Sequence, residues 1–273
     1  MSAPNIAFIG AGNMAGSIIG GLLESGHPAA AIRAADPFPQ SLERIASLGD
    51  IATFSDNSEC AADMDVIILA VKPQIMGAVA QSIAAAVQAS SGLVISIAAG
   101  ITIESLQRRL GKTAAIVRCM PNTPALLGCG ASGMFANSAA TPAQRAHAEH
   151  ILNAVGIIQW VDDESQLDAV TALSGSGPAY FFLFMEAMIE AGCELGLDRA
   201  TAGTLAMQTA LGAARMALES DVDLAELRRR VTSPGGTTER AIQSLTDSDL
   251  QATVRRAMQA ASDRAAEMAR EMG

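Results

Sequence analysis

Lysine is all but missing from this 273-residue chain: Lys72 and Lys112 are the only two, and no histidine follows His150. The helical region after Asp168 therefore holds neither of the side chains that normally donate the proton when a carbonyl is reduced. Positive charge is scarce overall. Eighteen Lys and Arg against 28 Asp and Glu leave a net charge of −10, which disfavours nucleic acid and anionic membrane as partners. Cysteine is limited to Cys60, Cys119, Cys129 and Cys193, with no C-x-x-C pair and no ligand spacing. These read as reduced, mostly buried thiols of a cytoplasmic protein. Apolar runs break well before membrane-spanning length, and the stretch from Ala3 to Ile9 lacks a basic flank, so neither a membrane helix nor a signal peptide is expected. His147 and His150 are spaced i, i+3, but no third ligand is suggested nearby, so they read as surface histidines and no metal is expected.

What is present begins at the N-terminus. Ile6-Ala7-Phe8-Ile9 reads as an apolar strand running into Gly10-Ala11-Gly12-Asn13-Met14-Ala15, a G-x-G-x-x-A dinucleotide loop. Gly10 permits the tight strand-to-helix turn, Gly12 lets backbone approach a pyrophosphate, and Ala15 keeps helix and strand close. Asn13 and Met14 open a helix whose N-terminus faces the phosphates. Further short apolar runs, 32–35, 66–71, 93–97 and 115–117, alternate with helical segments and give βαβ units with a mostly parallel sheet. Two more β-rich stretches, 130–136 and 156–161, complete it. After Asp168 the chain holds Ala, Met and Leu at helical spacing, with helices expected over 179–195, 199–218, 223–231, 238–245 and 250–272. The methionines Met185, Met188, Met207 and Met216 follow that spacing as core filler. The chain divides into a dinucleotide-binding domain, 1–163, and a helical substrate-binding and dimerisation domain, 164–273.

Candidate site residues lie where these elements end. Lys72 in Ala70-Val71-Lys72-Pro73 closes a buried strand at the edge where open α/β sheets bind ligands, which suits cofactor contact better than solvation. Ser96-Ile97-Ala98-Ala99-Gly100 ends the next strand in small residues, which serves either a close nicotinamide or plain close packing. Pro121-Asn122-Thr123-Pro124 shapes a stiff loop at the same edge. Asp36 ends the second strand, where an acid accepts from ribose hydroxyls and repels a 2′-phosphate; the rival reading turns it away to cap a helix from Ser41. In the helical half, Ser233-Pro234-Gly235-Gly236-Thr237-Thr238 is a helix entrance whose free N–H groups can hold a carboxylate and whose hydroxyl can meet a polar atom. Reduction of a C=N bond needs no lysine acid, because a protonated imine accepts hydride to give a neutral amine. The missing lysine therefore points to an imine reductase.

Six motifs in order carry a resemblance over essentially the whole chain. They are Phe8–Met14, Ala70–Pro73, Ser96–Gly100, Arg118–Pro124, Leu173-Ser174-Gly175-Ser176-Gly177-Pro178-Ala179-Tyr180 and Ser233–Thr238. Together they resemble the pyrroline-5-carboxylate reductases, the enzymes of the last step of proline synthesis. The resemblance implies a Rossmann-type doubly wound sheet followed by an all-α dimerisation domain, NADP or NAD as cofactor, and a homodimer that in such families often builds into a decamer. It implies that Thr238 hydrogen-bonds the ring nitrogen, while backbone around Ser233, Gly236, Thr237 and Thr238 holds the carboxylate and acids at Glu164 and Asp221 lie near that site. It further implies that Ile9, Gly10, Ala11, Gly12, Asn13, Met14, Asp36, Asn57, Ala70, Val71, Lys72, Pro73, Ile97, Ala98 and Ala99 line the cofactor. Two departures stand out. Arg230 replaces a smaller polar residue, and Asp36 stands where many relatives carry Ser or Asn. A β-hydroxyacid dehydrogenase would share the first half but needs a lysine in the second. A non-catalytic NAD(P) sensor would not need the Gly-Gly-Thr-Thr loop.

Overall fold

In the computed structural model, which describes residues 3–272, contacts divide the chain into two compact units. The smaller is Gly177–Gln259, and the larger takes everything before it together with the C-terminal end of the last helix. The helical sequence begins at about residue 164, but residues 164–176 fold with the larger unit.

The larger unit is built on one sheet. Its strands are β1 (Ile6–Ile9), β2 (Ile32–Ala35), β3 (Ala52–Phe54), β4 (Val66–Leu69), β5 (Leu93–Ser96), β6 (Ile116–Met120), β7 (Gly130–Ala136) and β8 (Gly156–Trp160). They lie in the order β3-β2-β1-β4-β5-β6-β7-β8, parallel except where β7 runs against β6. The helices of this unit are α1 (Asn13–Glu24), α2 (Pro39–Ala46), α3 (Asn57–Ala61), α4 (Met76–Ser90), α5 (Ile103–Leu110), α6 (Pro142–Asn153) and α7 (Gln166–Val170).

The two-residue period of the strands sorts their side chains to opposite faces. Ile6 and Phe8 of β1 join Ile32, Val66, Ile68 and Ile95 in a core covered by Ile18, Ile19 and Leu22 of α1 and Ile151 and Leu152 of α6. Ala7 and Ile9 join Ile67, Leu69 and Val94 in a second core under Met76, Ala80 and Ile83 of α4 and Leu106 of α5. Both faces are buried, which is why β1 and β4 read as continuous apolar runs. The strand order reverses between β1 and β4, and the carboxyl ends of the strands at such a reversal are where open α/β sheets bind ligands.

One element was not anticipated. β3 has three residues, two of them exposed, and is a strand only because Ala52 and Phe54 pair with Arg33 and Ala35 of β2. The expected strands at β1, β2 and β7 match their observed bounds, and the others agree to within one to three residues at an end.

The smaller unit is helical: α8 (Gly177–Glu194), α9 (Arg199–Glu219), α10 (Leu224–Arg230), α11 (Thr237–Asp247) and the start of α12 (Leu250–Met272). Aspartates cap α9 and α10, Asp198 accepting from Thr201 N–H and Asp223 from Glu226 N–H. Helix α8 packs on α9, with Gly192 facing Ala202. Much of its apolar surface stays uncovered. Phe181, Phe182, Leu183, Phe184, Leu205, Met207 and Leu211 are all exposed.

Candidate active site

The glycine loop sits at the carboxyl end of β1, facing the end of β4. Gly10 has φ +100, and a Cβ there would lie 2.6 Å from the Ala70 carbonyl oxygen, so only glycine lets the two strand ends approach. A Cβ on Gly12 would meet nothing within 4 Å. That open side, next to an α1 N-terminus with no side-chain cap, leaves the N–H groups of Gly12, Asn13 and Met14 without acceptors among the described residues. Backbone donors around an empty approach fit a pyrophosphate. The residues present fit a dinucleotide.

The segment after β2 reaches back to this loop. Asp36 does not cap the next helix, which starts at Pro39 without a side-chain cap. Its Oδ2 accepts from Ala11 N–H at 2.8 Å and its Oδ1 from Phe38 N–H at 2.9 Å. The carboxylate thus faces the loop with lone pairs left over. Arg44 of α2, which the sequence reading passed over, donates to the Ala11 carbonyl at 2.6 Å and to Asn13 Oδ1 at 3.0 Å. Only its place in the last turn of α2, after a strand end, could have hinted at this.

The other cofactor candidates fall along the same edge. Ile9 is buried beneath the loop, while Ala70 and Val71 line its β4 side. Lys72 is exposed and Pro73 opens a short 3₁₀ turn behind it. Asn57 begins α3 and donates to Ser82 Oγ at 3.2 Å. Ala98 is buried, with Ile97 and Ala99 half-buried beside it. Gly100 has a packing role of its own, since a Cβ at its φ of +73 would press within 3.1 Å of Met268 on α12. Asn122 bridges two segments, donating to the Ser174 carbonyl at 3.0 Å and accepting from Ala131 N–H at 2.9 Å. The stiff Pro121–Pro124 loop is thereby tied to the π-helical turn Thr171–Gly175.

Glu164 lies in the larger unit and is engaged through one carboxylate oxygen. Its Oε1 accepts from Arg118 Nη1 at 2.7 Å and from Ile103 N–H at 2.8 Å. Arg118 is 7% exposed, so Glu164 is the counter-ion of a buried guanidinium. Asp168 sits in the same field, and its carboxyl is held above the ordinary range, first by burial, against the pull of Arg118 and with the push of Glu164. The three histidines converge elsewhere. His27 is buried at the far end of α1, its Nδ1 3.5 Å from His150 Nε2, and with His147 they line a cleft of about 300 Å³. Among the described residues no group of three or more potential ligands can hold a metal.

The second candidate site belongs to the smaller unit. Ser233–Thr238 forms the entrance to α11, with Gly236 as N-cap and no side-chain cap. The Gly236 N–H already donates to the Ser233 carbonyl at 3.0 Å, and this closes the turn rather than offering a donor. Gly235 N–H is held by the Glu239 carboxylate at 2.9 Å. Thr237 and Thr238 N–H have no acceptor among the described residues. The loop thus holds one carboxylate of the chain's own and keeps two donors free. Asp221 is exposed in the α9–α10 connection, and Arg230 is paired with Glu226 at 2.8 Å.

Comparison with known proteins joins the two sites in one lineage. The curated pyrroline-5-carboxylate reductase of Pseudomonas aeruginosa is 57% identical over 273 residues, covering 100% of both chains. The chain belongs to the pyrroline-5-carboxylate reductase family. Residues 164–268 match the family model described as pyrroline-5-carboxylate reductase dimerisation, and residues 5–100 match that of NADP oxidoreductase, coenzyme F420-dependent. Among solved pyrroline-5-carboxylate reductases, the one from Coxiella burnetii is 44% identical with a TM-score of 0.95, covering 97% of this chain and 98% of its own. The Plasmodium falciparum pyrroline carboxylate reductase, solved with NADP bound, is 32% identical with a TM-score of 0.86, covering 98% of this chain and 99% of its own. As in this family, the chain carries an N-terminal nucleotide-binding sheet followed by a helical dimerisation domain.

Proposed function

We propose that this protein reduces L-1-pyrroline-5-carboxylate to L-proline with NAD(P)H, the final step of proline biosynthesis. The observation that carries the reading is the Ser233–Thr238 loop, which binds a carboxylate through Gly235 N–H and leaves Thr237 and Thr238 N–H open beside the half-buried Thr238 hydroxyl. The substrate is a small ring bearing one carboxylate and one imine nitrogen, and the loop supplies a partner for each. Thr237 and Thr238 N–H hold the carboxylate, with Ser233 and Gly236 shaping the turn. Thr238 Oγ1 accepts from the N–H of the protonated imine and fixes the C=N plane. A bound nicotinamide supplies the hydride. Attack on the carbon of a C=NH⁺ group gives a neutral secondary amine, so no alkoxide needs a proton. The absence of lysine after Lys112 and of histidine after His150 therefore costs the reaction nothing.

Gly10, Ala11, Gly12, Asn13 and Met14 cradle the cofactor pyrophosphate, and Asp36 faces its adenosine ribose. Lys72, Asn57 and the ends of β4 and β5 line its length. Glu164 and Asp221 border the substrate in this reading. The protein works in the cytoplasm as a homodimer, with a ring of five dimers as its larger assembly, and has neither nucleic acid nor membrane as a partner. The exposed phenylalanines of α8 and the dimerisation family model support the dimer. One assay tests the activity: oxidation of NADH and NADPH by purified protein with pyrroline-5-carboxylate, against the keto form of a hydroxyacid. Turnover with the imine alone is expected, and cofactor left unoxidised from mildly acidic to alkaline pH overturns the proposal. A stable, active monomer by light scattering at assay concentration overturns the assembly.

A further inference from the structure

The Ala11 peptide in the middle of the glycine loop is gripped from both sides by the segment that follows β2. Asp36 takes its N–H at 2.8 Å, and Arg44 takes its carbonyl at 2.6 Å while a second guanidinium nitrogen reaches Asn13 Oδ1 at 3.0 Å. An acid and a base from one short segment therefore stand together where a doubly wound fold places the adenosine ribose. Their charges do not cancel by contact, since Asp36 and Arg44 form no ion pair with each other and Arg44 has none with any other described acid. Arg44 makes two of the five N–H donations open to a guanidinium, which leaves donors and a full positive charge at the loop. No other arginine of β2 or α2 competes for this role. Arg33 is engaged elsewhere, donating to the Ala62 carbonyl at 3.1 Å and lying 5.7 Å over the Phe54 ring.

We infer that Arg44 is the cofactor-specificity residue of this chain: its free guanidinium donors hold the 2′-phosphate of NADPH and offset the repulsion of Asp36. A planar fork of N–H donors matches a phosphate monoester better than a single ammonium does. A ribose 2′-hydroxyl, by contrast, takes its hydrogen bond from Asp36 and gains nothing from Arg44. The pair thus lets one site accept both cofactors. The inference rests on the loop being a dinucleotide site, and the test separates the two.

Isothermal titration of the full-length protein and of Arg44→Ala with NADP⁺, NAD⁺, 2′,5′-ADP and 5′-AMP reads the role directly, without turnover. Arg44→Ala should weaken NADP⁺ and 2′,5′-ADP about ten-fold or more beyond whatever loss NAD⁺ and 5′-AMP share from the loosened Ala11 peptide, the scale of a lost hydrogen bond to a charged group. Arg44→Lys, which keeps the charge and loses the fork, should fall between. Equal weakening of all four ligands makes Arg44 a prop of the loop and overturns the inference, as does no change in any. Wild-type protein that binds neither NADP⁺ nor NAD⁺ overturns the dinucleotide reading itself, and this inference with it. A melting temperature close to wild type confirms that Arg44→Ala is folded, and Arg44→Gln serves in its place if it is not.

Discussion

Replacing Glu164 by Ala separates two roles that one residue can have. The family resemblance puts this acid beside the substrate, whereas the structure makes it the counter-ion of Arg118 and the acceptor for Ile103 N–H, both through Oε1. Arg118 has a side chain only 9% exposed, so losing its partner leaves an uncompensated guanidinium inside the protein. Breaking a fully buried pair costs about 3–5 kcal/mol. The Glu164 side chain is 28% exposed, and water entering the gap lowers the cost, so about 2–3 kcal/mol is expected here. For a unit of this size, that shifts the melting temperature down by roughly 4–12 °C. Glu164→Gln keeps an oxygen acceptor for both donors but loses the charge that balances Arg118, so a loss smaller than that of the Ala variant, yet still measurable, is expected. Thermal melts of the three proteins, run beside imine kinetics, decide the matter. An Ala variant that melts within a degree of wild type while its KM for the imine rises several-fold would show that Glu164 serves the substrate and not the fold.

Four further outcomes are expected. Thr238→Ala should lower kcat and raise KM for the imine by a combined 1–3 kcal/mol, roughly one hydrogen bond to a charged group, with cofactor affinity unchanged; unaltered imine kinetics remove the hydroxyl from the reaction. Asp36→Ser should raise the NADPH-to-NADH ratio of kcat/KM several-fold, on the scale of roughly 1 kcal/mol for a like charge at a partly exposed edge, and a ratio that does not move shows that Asp36 never meets the ribose. Gly10→Ala should abolish measurable dinucleotide binding in titration, because its Cβ would lie 2.6 Å from the Ala70 oxygen in a left-handed turn; wild-type affinity would refute the close approach. His27 is held below its ordinary value of 6.5, first by burial and then by His150, against a smaller upward pull from the Pro4 backbone. The unfolded chain therefore takes up that proton first as pH falls, so stability should drop from about pH 6.5 downward until the folded-state value is passed. His27→Gln should flatten that part of the melting-temperature profile, and an unchanged slope between pH 7 and 5 would rule out His27 as its source.

The features that the sequence determined alone are those whose physics is local. A four-residue apolar strand running into Gly10-Ala11-Gly12 can make little but a strand, a tight turn and a helix start, and β1 and α1 form there. The Ser233–Thr238 entrance to α11 is equally local, because a proline and two glycines make a turn that leaves Thr237 and Thr238 N–H open at the helix start. The shortage of lysine is a fact of composition that no folding can alter, so the imine chemistry was legible before any coordinate.

Other features depend on partners far along the chain. β3 has neither length nor burial of its own and exists only by pairing with β2. The direction of Asp36 was open between two readings until the loop 25 residues earlier supplied its donor. Nothing in the sequence singles out Arg44, whose value comes from a contact with Ala11, 33 residues away. Glu164 finds Arg118 across 46 residues and Ile103 across 61. A side chain's type states what it can bind, but what it does bind is fixed by which backbone groups the sheet order carries to its end. That order, with β1 between β2 and β4, is set by packing two apolar faces under separate layers of helices, and only the folded chain decides it.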